Sequence, residues 1–346
     1  MGIPVLTPGK TFILGYTHET DGVCQASRQA PKILFDDFLT ISRLIEFDFK
    51  VKSSAVKILS PTSNEYNIRY LFYAMSQLRF DVVDHQRHWI GQFSKLEVTI
   101  PTREVQDKIA TAIVSCKNHI AALQALITKY EAIKKATVKL LLMPKVDWHS
   151  IKLKDFESHK NNTCSRSLTT SSSGRIRNIH YGDILVKFNE IVSLKEHRID
   201  CLTNEGELRS PADYIQDGDI IIADTAEDEA AGKVVEMRDV EDIKAVAGLH
   251  TVFLRPPEMV FACGWLGYWM NSNYYHDQLL PYMTGIKVLS LSKSSLLETE
   301  IFYPPRLEQE RIVNVLESIS SHIATLKTQV AKLQDLKQGM MSYFFG

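Results

Sequence analysis

The stretch Pro101–Ala110, "PTREVQDKIA", returns 203 residues later as Pro304–Val313, "PPRLEQERIV". Residues 101–143 laid on 304–346 without a gap share eleven identities, among them Ser115 with Ser318, His119 with His322 and Lys129 with Lys332. A match of that length and spacing reads as an internal duplication. Each copy begins with proline and places Glu or Gln in its first turn, the grammar of a helix start. The apolar positions are Ile109, Ile113, Cys116, Ile120, Leu123, Ile127 and Tyr130 in the first copy. In the second they are Ile312, Leu316, Ile319, Ile323, Leu326, Val330 and Leu333. Steps of four and three alternate throughout, which is the coiled-coil heptad. No proline interrupts either copy, so each predicts a rod of roughly 60 Å at about 1.5 Å per residue.

A single apolar seam needs a partner, and the other copy is the obvious one. With a domain-sized segment between the copies, antiparallel pairing is the easier geometry. The blander alternative, which the pattern favours less, is a coiled coil of purely structural use. Lys134 and Lys337 occupy the next heptad position of each seam, where a lysine either fixes register or marks where the pair opens.

These rods divide the 346 residues into four parts. Residues 1–101 and 149–303 form two globular domains; 102–148 and 304–346 carry the helices. Apolar residues make up 45% and charged residues 23%, the balance of an ordinary globular protein. No apolar run approaches the length of about 18 residues that spans a bilayer, and "MGIPVLTPGK" lacks a signal-peptide pattern. Cys24, Cys116, Cys164, Cys201 and Cys263 are scattered without a CxxC pair, which fits a reducing cytoplasm. The net charge of −1 is uninformative, but its distribution is not. Residues 213–242 hold 11 acids against two bases, whereas 144–198 hold 10 bases against 6 acids. A polyanion could meet the second stretch and not the first.

Both globular parts read as mixed α/β. Strands are expected at "VKSSAVKIL" (51–59), "GDIIIA" (218–223) and "HTVFLRP" (250–256). Helices are expected at "NIRYLFYAMSQL" (67–78) and "FACGWLGYWMNS" (261–272), and "SRSLTTSSSGR" (165–175) reads as a flexible polar loop.

Catalytic signatures are scarce. "TPGKT" (7–11) has Pro4 where a phosphate loop requires glycine. HExxH, GxSxG and a strand-following GxGxxG are absent. "DTAEDEAAGK" (224–233) carries acids and a lysine, but a solvated acidic loop explains it better than a nuclease core. His85 and His88 have ligand spacing without an obvious third ligand. The chain reads as a binder. "DHQRHWIG" (84–91) offers bidentate donors, a stacking ring and an amide, the equipment of groove readout. "RIRNIHYGDI" (175–184) is its counterpart in the second domain.

The order of domain, proline-started helix, domain, proline-started helix resembles the DNA specificity subunit (HsdS) of Type I restriction-modification systems. "NIHYGDI", "DGDIIIADTAED", "GLHTVFLRP" and "PPRLEQERIV" look like segments of that family's recognition domains and helices. "ILFDDF", "FKVKSSAVKIL" and "DHQRHWI" are similar to another subclass of the same domain. The resemblance implies an α+β chain with two α/β target recognition domains separated by two long antiparallel coiled-coil helices. It implies a non-catalytic subunit that reads a split double-stranded DNA sequence, with methyltransferase (M) subunits on the helices and restriction (R) subunits joining them. S-adenosylmethionine and ATP would bind those partners, leaving this chain without a cofactor of its own. The expected DNA contacts are Lys52, Ser53, His85, Arg87, His88 and Trp89 in the first domain. In the second they are Arg177, Asn178, His180, Tyr181, His250 and Lys287, with His250 alternatively a satisfied core histidine. The first domain is shorter than the family's, so either it has lost the front of its fold or a separate chain or second protomer completes it. The alternative function is a truncated scaffold that binds methyltransferase subunits without reading DNA.

Overall fold

The computed structural model describes residues 2–8, 11–78, 87–170, 174–203 and 213–346. The chain packs as two compact units, one of Met1–Ile127 with Thr325–Gly346 and one of Thr128–Ala324.

In the first unit β1 (Ile3–Leu6) lies between β2 (Ile13–Thr17), antiparallel, and β5 (Lys50–Val51), parallel. A second sheet centres on β3 (Lys32–Asp36), flanked antiparallel by β4 (Ser42–Ile45) and β6 (Val56–Leu59). Leu6, Leu34, Ile45, Phe49 and Val56 close the core. The expected strand over 51–59 is two strands in two sheets. A serine turn separates them, with Ser53 Oγ accepting the Ala55 amide at 3.2 Å, a local bond that competes with the ladder. Helix α1 (Ile68–Gln77) starts at Asn67, whose side chain accepts from the Arg69 and Tyr70 amides. Its Tyr70, Tyr73 and Ala74 pack on Ile109, Ala110 and Ile113 of α2 (Arg103–Leu141).

The second unit opens with β7 (His149–Lys152), β8 (Glu157–His159), β9 (Thr169–Thr170), β10 (Arg177–Ile179) and α3 (Tyr181–Val186). It continues with β11 (Ile191–Ser193), β12 (Cys201–Leu202), β13 (Ile220–Ala223), β14 (Thr225–Ala226), β15 (Val234–Arg238), β16 (Ala245–Ala247) and β17 (Thr251–Arg255). Then come α4 (Trp265–Met270), α5 (Asn273–Leu279), β18 (Leu289–Ser290), α6 (Lys293–Leu297), β19 (Glu300–Tyr303) and α7 (Arg306–Phe345). The main sheet runs β11-β15-β13-β17-β8. Its central strand is buried on both faces: Ile220 and Ile222 join the core that holds Trp265, Trp269 and Leu316, while Ile221 and Ala223 join the core around α3. That two-sided burial is why "DIIIA" reads as a continuous apolar run without alternation. A second sheet runs β16-β10-β12-β9, so the segment expected to be a polar loop contributes a strand at Thr169–Thr170.

The helix expected over 261–272 begins only at Trp265. Gly264 takes φ +92°, and the buried Glu236 carboxylate accepts the amides of Gly264 and, at 2.9 Å, Gly267. Glycine is required at both places. A Cβ on Gly267 would stand 2.4 Å from the Glu190 carbonyl oxygen.

Within each unit the two long helices run antiparallel. In the first, Cys116 Sγ donates to the Leu333 carbonyl at 3.4 Å and Ile109, Ala110 and Ile113 pack with Met341. In the second, the Tyr130 ring meets His322 at 4.5 Å and Lys145 pairs with Glu308 at 2.8 Å. Residue numbers fall on one helix as they rise on the other. Of the fourteen heptad residues, eleven are buried and Tyr130, Ile319 and Leu333 are half-buried. Each buried Leu or Ile contributes about 1.5–3 kcal/mol, which is where the pairing gets its strength. Lys134 is held by the sheet unit rather than by the facing helix. It leaves the seam, bonding Glu190 at 2.7 Å and lying over the Tyr268 ring at 5.5 Å.

Candidate nucleic-acid interface

In the first unit one buried carboxylate organises the expected contacts. Asp37, 1% exposed, follows β3. Its amide donates to the Ala55 carbonyl at 2.9 Å and its carbonyl accepts the His88 amide at 2.9 Å. Its carboxylate accepts the Trp89 amide at 2.7 Å and faces Lys57 at 3.5 Å. The turn at 52–55 and the segment from Arg87 are thus held to one point. Trp89 lies against Phe35, centroids 4.9 Å apart, and His88 is buried. An indole beside a phenylalanine-bearing strand gains more by packing than by staying in water. His88 and Trp89 therefore anchor the segment inward. Arg87 remains exposed, donating to Ser54 Oγ at 2.9 Å beside exposed Lys52 and half-buried Ser53. His85 lies outside the described residues.

In the second unit β10 delivers Arg177 and Asn178. The Arg177 guanidinium bonds the Leu194 carbonyl, and Asn178 is buried, its Oδ1 accepting from Asn162 Nδ2 at 2.8 Å. Both serve the fold in this way, the first half-buried. His180 starts α3, its Nδ1 accepting the Gly182 amide at 3.1 Å. Burial, with the Arg166 guanidinium nearby, holds its pKa below the usual histidine range, which keeps that nitrogen an acceptor. Tyr181 packs on His180 at 4.6 Å and takes His250 against it edge-on at 5.3 Å. His250 is exposed, at φ +56° before β17, with Nδ1 3.6 Å from Asp224, so the core-histidine alternative does not hold. Lys287 is exposed on the loop before β18.

Two cations missing from the sequence-based set join this face. Asp183, 4% exposed at its side chain, bonds both Arg166 at 2.8 Å and Lys187 at 2.9 Å. Two half-exposed cations share one buried acid, leaving a net positive charge beside Tyr181. Lys187 was legible as the i+4 partner of Asp183; Arg166, 17 residues upstream, had no signal. The acid-rich stretch is partly spent inside. Asp219 holds Arg255 through both oxygens at 2.7 and 2.8 Å, and Glu236 caps α4. Lys233 donates to the Leu185 and Phe188 carbonyls at the end of α3, while Glu227, Asp228 and Glu229 are exposed, so within "DTAEDEAAGK" the acidic tip after β14 faces solvent. Among the described residues no three His, Cys, Asp or Glu gather as a metal site, and no helix is long and apolar enough to cross a membrane.

Both faces combine exposed cations with aromatic or amide groups carried on turns, loops and the α3 helix. Such groups can bond phosphates and base edges.

No protein-family model matches the chain. The specificity subunit of the Type I restriction enzyme EcoR124I/EcoR124II of Escherichia coli is 45% identical over 132 residues, 36% of this chain and 32% of that protein. The match thus spans about a third of the length of that curated relative. Among solved structures, a Type I restriction-modification S subunit from M. genitalium superposes with TM-score 0.61 at 13% identity, covering 99% of this chain and 88% of that one. The HsdS subunit of Thermoanaerobacter tengcongensis gives TM-score 0.46 at 16% identity over 95% of this chain and 83% of that one. In sequence over the shared segment, and in fold over its whole length, the chain is similar to the specificity subunits of Type I restriction-modification systems.

Proposed function

We propose that the chain is the sequence-reading subunit of a Type I restriction-modification complex. Each unit reads one part of a split double-stranded target. Methyltransferase subunits dock on the paired helices, and restriction subunits join that assembly. The chemistry belongs to the partners, which carry S-adenosylmethionine and ATP, and this chain supplies recognition. The observation that carries the reading is the pair of antiparallel helices written as one repeat, each copy following a mixed sheet unit with exposed cations on its turns and loops. Lys52 and Arg87 in the first unit, and Arg166, Tyr181, Lys187, His250 and Lys287 in the second, are the contacts the geometry favours. Phosphates would supply most of the affinity and base edges the choice of sequence.

Reconstitution tests this directly. The chain mixed with the methyltransferase subunits of its source should transfer labelled methyl groups to DNA, with neither component active alone. Co-purification with methyltransferase subunits, without methylation, would instead favour the scaffold.

A further inference from the structure

Beside Tyr181 the second unit carries a cleft of about 460 Å³ whose apolar walls come from Tyr181, Leu185, Val186, Ala226, Ala230 and Val288. Val186 is 85% exposed and Val288 49%, and Ile286, two residues before Val288 on the same loop, is 101% exposed, wholly in water. A single exposed aliphatic side chain is unremarked on most surfaces. Here two line one cleft, a third projects from the loop that carries Val288, and that loop is fixed. Thr284 and Ser290 exchange backbone hydrogen bonds at 3.0 and 2.8 Å, and β18 pairs with β14 at its base. Gly285 takes φ +126°, and a Cβ there would lie 1.9 Å from the Val288 carbonyl oxygen. Only glycine fits, so the turn is specified and Ile286 is held out by it. Exposed lysines adjoin the cluster in the chain, Lys187 after Val186 and Lys287 after Ile286. Glu227 and Asp228 line the same cleft and are exposed.

We propose that Ile286 is a specificity-determining wedge that enters the major groove and packs on the 5-methyl of a thymine, with the cleft taking the edge of that base pair. This rests on the DNA-reading function proposed above. The lysines suit the flanking phosphates. The two carboxylates repel phosphate, so the cleft itself faces base edges, where an acid can accept from the N6 amino group of the paired adenine. An apolar tip against a thymine methyl is a recognised mode of direct readout.

The test uses the full chain with its methyltransferase subunits and duplexes carrying the mapped target, deoxyuridine replacing each thymine in turn. For the wild type, one replacement in the half-site read by the second unit should weaken binding about fourfold, the value of one buried methyl group. Ile286→Ala should weaken binding to the unmodified target by on the order of tenfold and be indifferent to that replacement. Ile286→Val should retain most of the discrimination. An Ile286→Ala complex that binds as tightly as wild type overturns the wedge and leaves the DNA reading standing. Loss of methyltransferase binding in that variant also overturns it, by making the tip a protein contact. A wild-type complex with no preference for any duplex overturns both.

Discussion

Gln106 and Gln309 make the same three hydrogen bonds at the start of their helices. The side-chain oxygen of Gln106 accepts the Asn67 amide at 2.8 Å, and its nitrogen donates to the Glu65 and Pro101 carbonyls at 3.0 and 2.8 Å. Gln309 accepts the Ala262 amide at 2.8 Å and donates to the Val260 and Pro304 carbonyls at 3.2 and 2.9 Å. Each is at most 1% exposed. Neighbouring arginines repeat the correspondence, Arg103 bonding the Asn64 carbonyl and Arg306 the Met259 carbonyl at 3.3 Å. The duplication therefore extends from the rods into the segments just before α1 and α4.

Gln106→Leu or Gln309→Leu would leave a buried amide and two carbonyls without partners. Each should cost about 2–4 kcal/mol. Amide exchange should accelerate locally, around residues 64–70 for the first and 259–265 for the second. Unchanged exchange in either segment would show that the glutamine is dispensable.

The heptad was legible because its constraint is local and periodic. Every one of the fourteen seam residues lies inward. The strand at 220–223 was legible from its apolar run. The packing of Trp89 on Phe35 and the bond between Asn178 and Asn162 were not legible, because both partners are distant in sequence. Arg166 was missed for the same reason. Types of residue announce chemistry, but burial depends on contacts that a linear reading does not contain.

The seam makes its own prediction. Leu316, 0% exposed, should cost about 2–5 kcal/mol when changed to alanine. Leu336 on the same helix is 55% exposed, and its alanine variant should stay within about 0.5 kcal/mol of wild type. Urea titration of the two variants checks the contrast, and equal losses would place the seam wrongly.

Burial pushes the Glu236 carboxyl up from 4.5 to about 7, against the pull of the two amides it accepts. The folded value lies above the unfolded one, so the group's stabilising contribution is full below pH about 4.5 and is lost as pH rises through about 7. Over that window the change is ~3 kcal/mol, read from the fluorescence of Trp265 and Trp269. In Glu236→Gln this slope should flatten. A variant with the wild-type pH profile would assign the dependence elsewhere.

Arg87 is an exposed donor of the first unit. Arg87→Ala should weaken binding to the target by about 1–3 kcal/mol if the guanidinium reads a guanine, with methyltransferase binding unaffected. A uniform loss across all sequences, with a shallower salt dependence, would make it a phosphate contact.

Sequencing of methylated positions in DNA from cells carrying the methyltransferase subunits, with and without this chain, bears most directly on sequence recognition. A two-part motif methylated only when the chain is present is the expected result. Methylation at the same positions in its absence would contradict the account.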